Sequence, residues 1–248
     1  MNQLIITTIL WLAALPSSGP ATNPKADFLA AITAGKVTEA REMLNATPSL
    51  AKASAPNGTS AILFALYHRQ PEIAALLLPF RRADLTVFES AALGETARLH
   101  TLLRQDPELA NALSVDGFTP LHLASFFGQT GAQQMLIHAG AMLETHSKNQ
   151  LNATSLQSAV ASHQLTSAAV LLAHHADPNC RGEAGYTPLF EAAESGQVEV
   201  VILLLKHGAD PSIKGTDGKT ALDVAVKSNR ANIEEILSKG RVYLWQAN

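Results

Sequence analysis

The sequence predicts an all-α chain, a solenoid of about seven helix-turn-helix units with short β-turn or loop projections. Three observations predict it. Threonines recur at an even spacing: Thr154, Thr187 and Thr220 are set apart by 33 (187−154, 220−187), and Thr119 precedes Thr154 by 35 (154−119). A turn position recurs with them at Gly94, Gly128, His163, Gly196 and Asn229. The stretch that repeats is too short to bury its own apolar surface, so it must stack on copies of itself. Its plainest copy is Thr187–Ile213. Thr187 caps a first helix through its hydroxyl, and Pro188 suits the first helical position, where its missing N–H costs nothing. Leu189, Ala192 and Ala193 give that helix a small apolar face, and Gly196 fits the turn, where positive φ is cheap for glycine. Val198–Leu205 is apolar on nearly every side, which implies a helix buried between layers. Gly208 closes it.

Two motifs within these units are more specific. Thr119-Pro-Leu-His122-Leu-Ala124 matches the T-P-L-H-x-A signature of a repeat with this period, and Gly208-Ala-Asp210 closes a unit in the usual way. The chain resembles ankyrin-repeat proteins over roughly residues 25 to 240. The resemblance implies the fold but no particular ligand, because members share an architecture. It also implies a structural duty for His122, whose ring is expected to bond back to the turn and tie neighbouring units together.

The elements follow in chain order. Residues 1–21 read as a signal peptide. The run 4–15, LIITTILWLAAL, is apolar and uncharged, too short to span a bilayer as a helix but suited to a signal-peptide core. Small and turn-forming residues follow, with Gly19-Pro20-Ala21 as a cleavage site. Asn2 and Gln3 supply no positive charge, which departs from the pattern. Export, periplasmic or secreted, is the expectation; the alternative is a retained apolar N-terminus, either a membrane anchor or packed on the first unit. Residues 22–240 form the repeat domain, with units at about 25–56, 57–84, 85–113, 114–146, 147–180, 181–213 and 214–240. In the first, Lys36, Glu39, Arg41 and Glu42 give the polar outer face of an end unit. The second opens at Asn57-Gly58, with Ser60 in place of threonine and Arg69 at the turn position.

The third unit is irregular. The interval from Arg69 to Gly94 is only 25 (94−69), its capping threonine and proline are expected to be absent, and the projecting turn before it is expected to be trimmed. That junction is a candidate weak point, since neighbour coupling dominates the stability of such stacks. The fourth unit is the closest to consensus, and the fifth has Ser155 where proline would stand. In the seventh, Asn229, Arg230, Asn232, Glu234 and Glu235 suit a closing cap. The tail, 241–248, carries Val242-Tyr-Leu-Trp245, expected to fold over the last helices or to dock a partner.

The chemistry is sparse. Of 248 residues, 47% are hydrophobic and 16% charged, a globular composition. Net charge is −3, and no basic stripe recommends nucleic acid. The single cysteine, Cys180, cannot form an intrachain disulfide and is expected to be a small residue beside a turn. Gly218-Lys219-Thr220 looks like the end of a phosphate-binding loop, but position 213 is isoleucine where that loop needs glycine. His138, His174, His175 and His207 fall at the ends of second helices, where the dipole and free carbonyls favour them, and no paired-ligand spacing for zinc appears. No cofactor and no catalysis are expected. Three sequons begin at Asn45, Asn57 and Asn152.

What remains is a surface. In the ankyrin family the first helix and the turn tips form the binding groove, and the two positions before the inter-helix turn face outward there. In this chain they are Tyr67 and His68, Ala92 and Leu93, Phe126 and Phe127 in units two to four, and mostly polar pairs from Ala161 and Ser162 onward. Phe64 and Leu123, one turn earlier, extend the apolar side. The resemblance thus implies a monomeric scaffold that binds a protein partner through this patch, with Lys148, Asn149, Glu183 and Tyr186 as a polar rim. A competing account makes Phe126 and Phe127 fillers beside the irregular third unit. Two other functions stay open: a regulator or inhibitor of an exported enzyme, and a small-ligand or metal carrier using the histidines.

Overall fold

A computed structural model describes residues 23–239. The apolar run 4–15 and the tail 242–245 lie outside them. Among the described residues the chain is all-α, with fourteen helices and no strands. In order they are α1 Pro24–Thr33, α2 Val37–Ala46, α3 Ala61–Tyr67, α4 Pro71–Arg81, α5 Val87–Leu93, α6 Thr96–Gln105, α7 Pro120–Phe126, α8 Thr130–His138, α9 Ser155–Ala161, α10 Leu165–Ala173, α11 Pro188–Ser195, α12 Val198–Lys206, α13 Ala221–Lys227 and α14 Ala231–Lys239. They form seven pairs.

Each pair turns on one residue with positive φ. Gly35, Gly94, Gly128 and Gly196 take it at no steric cost, while Arg69, His163 and Asn229 take it with a side chain. The residue after this turn in the next unit explains part of the glycine preference. A Cβ on Gly128 would sit 2.4 Å from Gln164 Oε1, and one on Gly94 would sit 2.4 Å from Gln129 Oε1.

The N-termini of the first helices are fixed by the recurring hydroxyl. Thr119, Thr154, Thr187 and Thr220, and Ser60 before α3, each accept from the backbone N–H three residues on. The third unit corrects the expectation drawn from its sequence, because Thr86 caps α5. The Glu89 N–H donates to Thr86 Oγ1 at 3.2 Å, and the Thr86 N–H donates to Glu89 Oε2 at 2.9 Å. This is a reciprocal capping box, and Thr86 precedes Thr119 by one full period, 33 (119−86). Only the proline is missing, replaced by Val87.

The chain divides into two compact units, which among the described residues are 23–89 and 90–239, with the division inside α5. In the first, α1 packs on α3 and α2 on α4. Phe28, Ile32, Leu44, Ile62, Ile73 and Leu77 are fully buried between them. In the second, α7, α9, α11 and α13 pack in succession, and α6, α8, α10, α12 and α14 form the other layer. Leu99, Leu121, Leu136, Leu156 and Leu204 lie in that core.

Between pairs the chain forms short hairpin-like fingers. Each closes with one backbone bond across its base: Ala55 N to Thr59 O, Ser114 N to Phe118 O, Ser147 N to Ala153 O, Gly182 N to Tyr186 O and Gly215 N to Lys219 O. No finger lies between α4 and α5. Residues 82–86 join them directly, as the short spacing implied.

Candidate partner-binding surface

The sequence-predicted surface residues fall in both units. In 23–89, Phe64 is half-buried and its ring lies 4.3 Å from that of His68, also half-buried. Burial lowers the His68 pKa. Tyr67 does not face outward as expected: it is buried, at 9% exposure. In 90–239, Phe126 and Phe127 are half-buried and meet edge to face at 5.1 Å, an arrangement favoured by the ring quadrupoles. Leu93 is half-buried. Leu123 is a second correction, since it is 2% exposed and belongs to the core. A two-turn helix packed on its neighbours hides most of its circumference, and Tyr67 and Ala92 are buried even though they stand beside the turn.

The four rim residues differ in kind. Lys148 and Glu183 are exposed. Asn149 is half-buried and tied down, its Nδ2 donating to Asp116 O at 2.9 Å. Tyr186 stacks on Phe190 with ring centroids 4.0 Å apart. A Cβ on Gly215 would sit 2.3 Å from the Tyr186 ring, so the tyrosine packs directly on the backbone of the next finger.

Other singled-out side chains serve the fold. His122 Nδ1 lies 2.7 Å from Thr119 Oγ1 and accepts from the Thr119 N–H, which leaves Nε2 to donate to Ala153 O at 2.8 Å. The ring therefore closes its own helix cap and grips the next unit, and burial pushes its pKa down to about 4. Gln157 repeats this design. Its Oε1 accepts from Thr154 N, and its Nε2 donates to Tyr186 O at 3.1 Å and Glu191 Oε1 at 3.0 Å. Burial pushes the Glu191 carboxyl up to about 8. Cys180 is buried, 3.2 Å from Thr154 Oγ1, and burial pushes its thiol up to about 12, which makes it inert near neutral pH. Thr220 caps α13, and Lys219 pairs with Asp217, so Gly218-Lys219-Thr220 is a finger and a cap. The His138 and His174 rings meet edge to face at 6.0 Å. Among the described residues no group of three or more His, Cys, Asp or Glu side chains could hold a metal ion.

Sequence reasoning missed three features. Asn111 and Asn179 each clasp the following unit through one carboxamide. Asn111 donates to Gly140 O and accepts from Met142 N; Asn179 donates to Gly208 O and accepts from Asp210 N. Their separation of about two periods (179−111) was the available signal. Gln133, Ser125 and Ser167 form a buried polar cluster between α7, α8 and α10. Leu113, Val115 and Met142 are exposed apolar residues at 47%, 71% and 60%, all on connecting loops.

Comparison with known proteins agrees with the geometry. Residues 116–148 match a model of the ankyrin repeat, and residues 156–244 match a model of three ankyrin-repeat copies. No curated protein matches the chain. Ankyrin repeats are generally protein–protein interaction modules, typically without catalysis of their own. With its helix pairs, threonine caps and finger turns, the chain is an ankyrin-repeat protein.

Proposed function

We propose that the chain is a non-catalytic module that binds a protein partner through the open ends of its first helices and its finger tips, and that it acts as a monomer after export through residues 1–21. One observation carries the reading. Phe126 and Phe127 place two adjoining aromatic rings, only half-buried, where the later pairs carry Ala161 and Ser162, Glu194 and Ser195, and Lys227 and Ser228. Aromatic anchors of this kind dominate binding energy in protein interfaces. The helix pairs hold them in place, so little ordering cost attends binding. Leu93, in the same unit, adds apolar surface. Phe64 and His68 are the corresponding surface residues of the 23–89 unit. Lys148 and Glu183 supply polar contacts at the finger tips.

A crosslinking pull-down from an envelope or secreted fraction tests this. A specific protein recovered with the wild-type chain supports the reading, and the absence of any partner in every fraction opposes it. A second reading makes the partner an exported enzyme that this chain regulates or inhibits; a change in that enzyme's rate on adding the chain favours it. The third, a metal carrier using the histidines, is decided by metal analysis of untagged protein, where a stoichiometric metal would displace our reading.

A further inference from the structure

We propose that the finger at residues 113–118 is an open edge that takes up a slender segment of the protein partner by backbone pairing at Val115. The inference rests on the protein-binding reading above and names a second contact for it.

The fingers of the 90–239 unit pair in series. Lys148 N donates to Gly117 O at 2.8 Å, Glu183 N to Leu151 O at 3.1 Å, and Thr216 N to Ala184 O at 2.9 Å. Each finger thus gives one N–H to the finger before it. The donors occupy one structural position. Glu183 and Thr216 stand four residues before their capping threonines (187−183, 220−216), and Lys148 stands six before Thr154 (154−148) in a finger two residues longer. Val115 holds the same position, four before Thr119 (119−115). One period earlier in the sequence no finger forms, since residues 82–86 join α4 to α5 directly. Among the described residues the Val115 N–H has no acceptor.

The side chains at this edge agree. Val115 is 71% exposed, more than any other large hydrophobic residue described, and Leu113 is 47% exposed. Strand edges are usually guarded by lysine, proline or a covering element. Residues 113–115 are Leu-Ser-Val, with no such guard in that stretch. The existing pairings also show what shape fits. A Cβ on Gly117 would sit 2.7 Å from the Lys148 backbone, so the fingers approach main chain to main chain. The occupant must therefore be slender enough for its main chain to approach the finger. It brings a backbone carbonyl to the Val115 N–H and an apolar side chain to Val115 and Leu113, which is recognition by main-chain pairing at an unpaired edge.

Amide hydrogen exchange on the full chain tests this, with a synthetic peptide of residues 112–119 as probe, since that peptide carries the glycine carbonyl that Lys148 uses. In the free chain the Val115 amide exchanges about 100-fold faster than those of Lys148, Glu183 and Thr216, because unpaired exposed amides exchange without an opening step. Peptide at millimolar concentration slows it about tenfold, as a weak backbone-paired complex requires. Labelled peptide fails to bind Val115→Pro, which lacks the N–H, and binds Val115→Asp, which keeps the N–H on a less apolar edge, about tenfold more weakly. A Val115 amide already protected in the free chain overturns the proposal, as does peptide that leaves its exchange unchanged. Neither arm needs the natural partner, so this result and the pull-down can fail independently.

Discussion

Residues 82–86 and residues 139–154 both carry the chain from a second helix to the next first helix, and they do so with opposite materials. The longer link builds a finger whose backbone and side chains grip the unit before it: Lys148 to Gly117, Asn149 to Asp116, and Ala153 O held by His122. The shorter link has no finger, and a buried ion pair stands in for it. Arg81, 9% exposed at its side chain, reaches Glu89, 1% exposed, at 3.1 Å; it also bonds Asp84 at 2.8 Å and Ala51 O at 3.2 Å. Glu89 completes the set by accepting from the Thr86 N–H and hydroxyl. Neutral backbone pairing at a surface tolerates small losses. A buried charge pair does not, because removing one partner strands the other in a medium that solvates it poorly.

The largest expected effect tests that contrast. Arg81→Ala leaves Glu89 buried and unpaired, and destabilises by about 3–5 kcal/mol in chemical unfolding. The double change Arg81→Met with Glu89→Leu removes both charges and restores most of the loss, since apolar replacements of buried pairs are often neutral or better. A single-variant loss near zero would mean the link does not depend on the pair. Next come the two cores. Leu77→Ala and Leu204→Ala, both at fully buried positions, should each cost about 2–5 kcal/mol. Similar costs would locate the difference between the regions in their links; a much smaller cost at Leu77 would locate it in the packing of the 23–89 unit.

Helix caps give a smaller effect. Thr86→Ala and Thr154→Ala each lose about 1 kcal/mol, with Thr86 the larger because Glu89 loses two donors if the hydroxyl goes and the turn relaxes. Equal or reversed losses would show that the ion pair carries the Thr86 link alone. The fingered region also carries a pH dependence of its own. The folded chain keeps His122 neutral, with burial holding its pKa at about 4 against an ordinary 6.5. Between those values the unfolded chain binds the extra proton at this site, so the His122 contribution to stability falls as pH drops from about 6.5 towards 4, while buried Glu191, raised from 4.5 to about 8, contributes the opposite slope. His122→Gln, the residue that Gln157 supplies in the next unit, should remove the His122 contribution, so that the variant loses less stability than the wild-type chain as pH drops from about 6.5 towards 4.

How legible each part was depends on whether it is local. The threonine caps and the positive-φ turns sit at fixed offsets, so spacing alone revealed them, down to Arg69, His163 and Asn229 in turns that usually hold glycine. Thr86 escaped because the short interval from Arg69 to Gly94 broke the count, although Thr86-Val-Phe-Glu89 carries its own capping signature. The Arg81–Glu89 pair needed the fold, since nothing in the sequence says which buried acid a helix-terminal arginine will meet. The burial of Tyr67 and Leu123 is hidden from the sequence for a geometric reason. Neighbouring helix positions differ by about 100° in direction, so a surface read by alignment mixes core and exposed residues within one turn. Phe126 and Phe127 survive that correction, since both are half-buried where Tyr67 and Ala92, at the position equivalent to Phe126, are buried.

The most direct measurement is the affinity of the purified partner for the wild-type chain and for Phe126→Ala with Phe127→Ala, with unfolding of both chains followed in parallel. If the two rings are the anchor, the double variant unfolds cooperatively near the wild-type midpoint and binds at least about tenfold more weakly, a loss of about 1.4 kcal/mol or more. Equal affinity in a folded variant would contradict this and move the site away from this face, while loss of folding would make the two rings fillers of the stack.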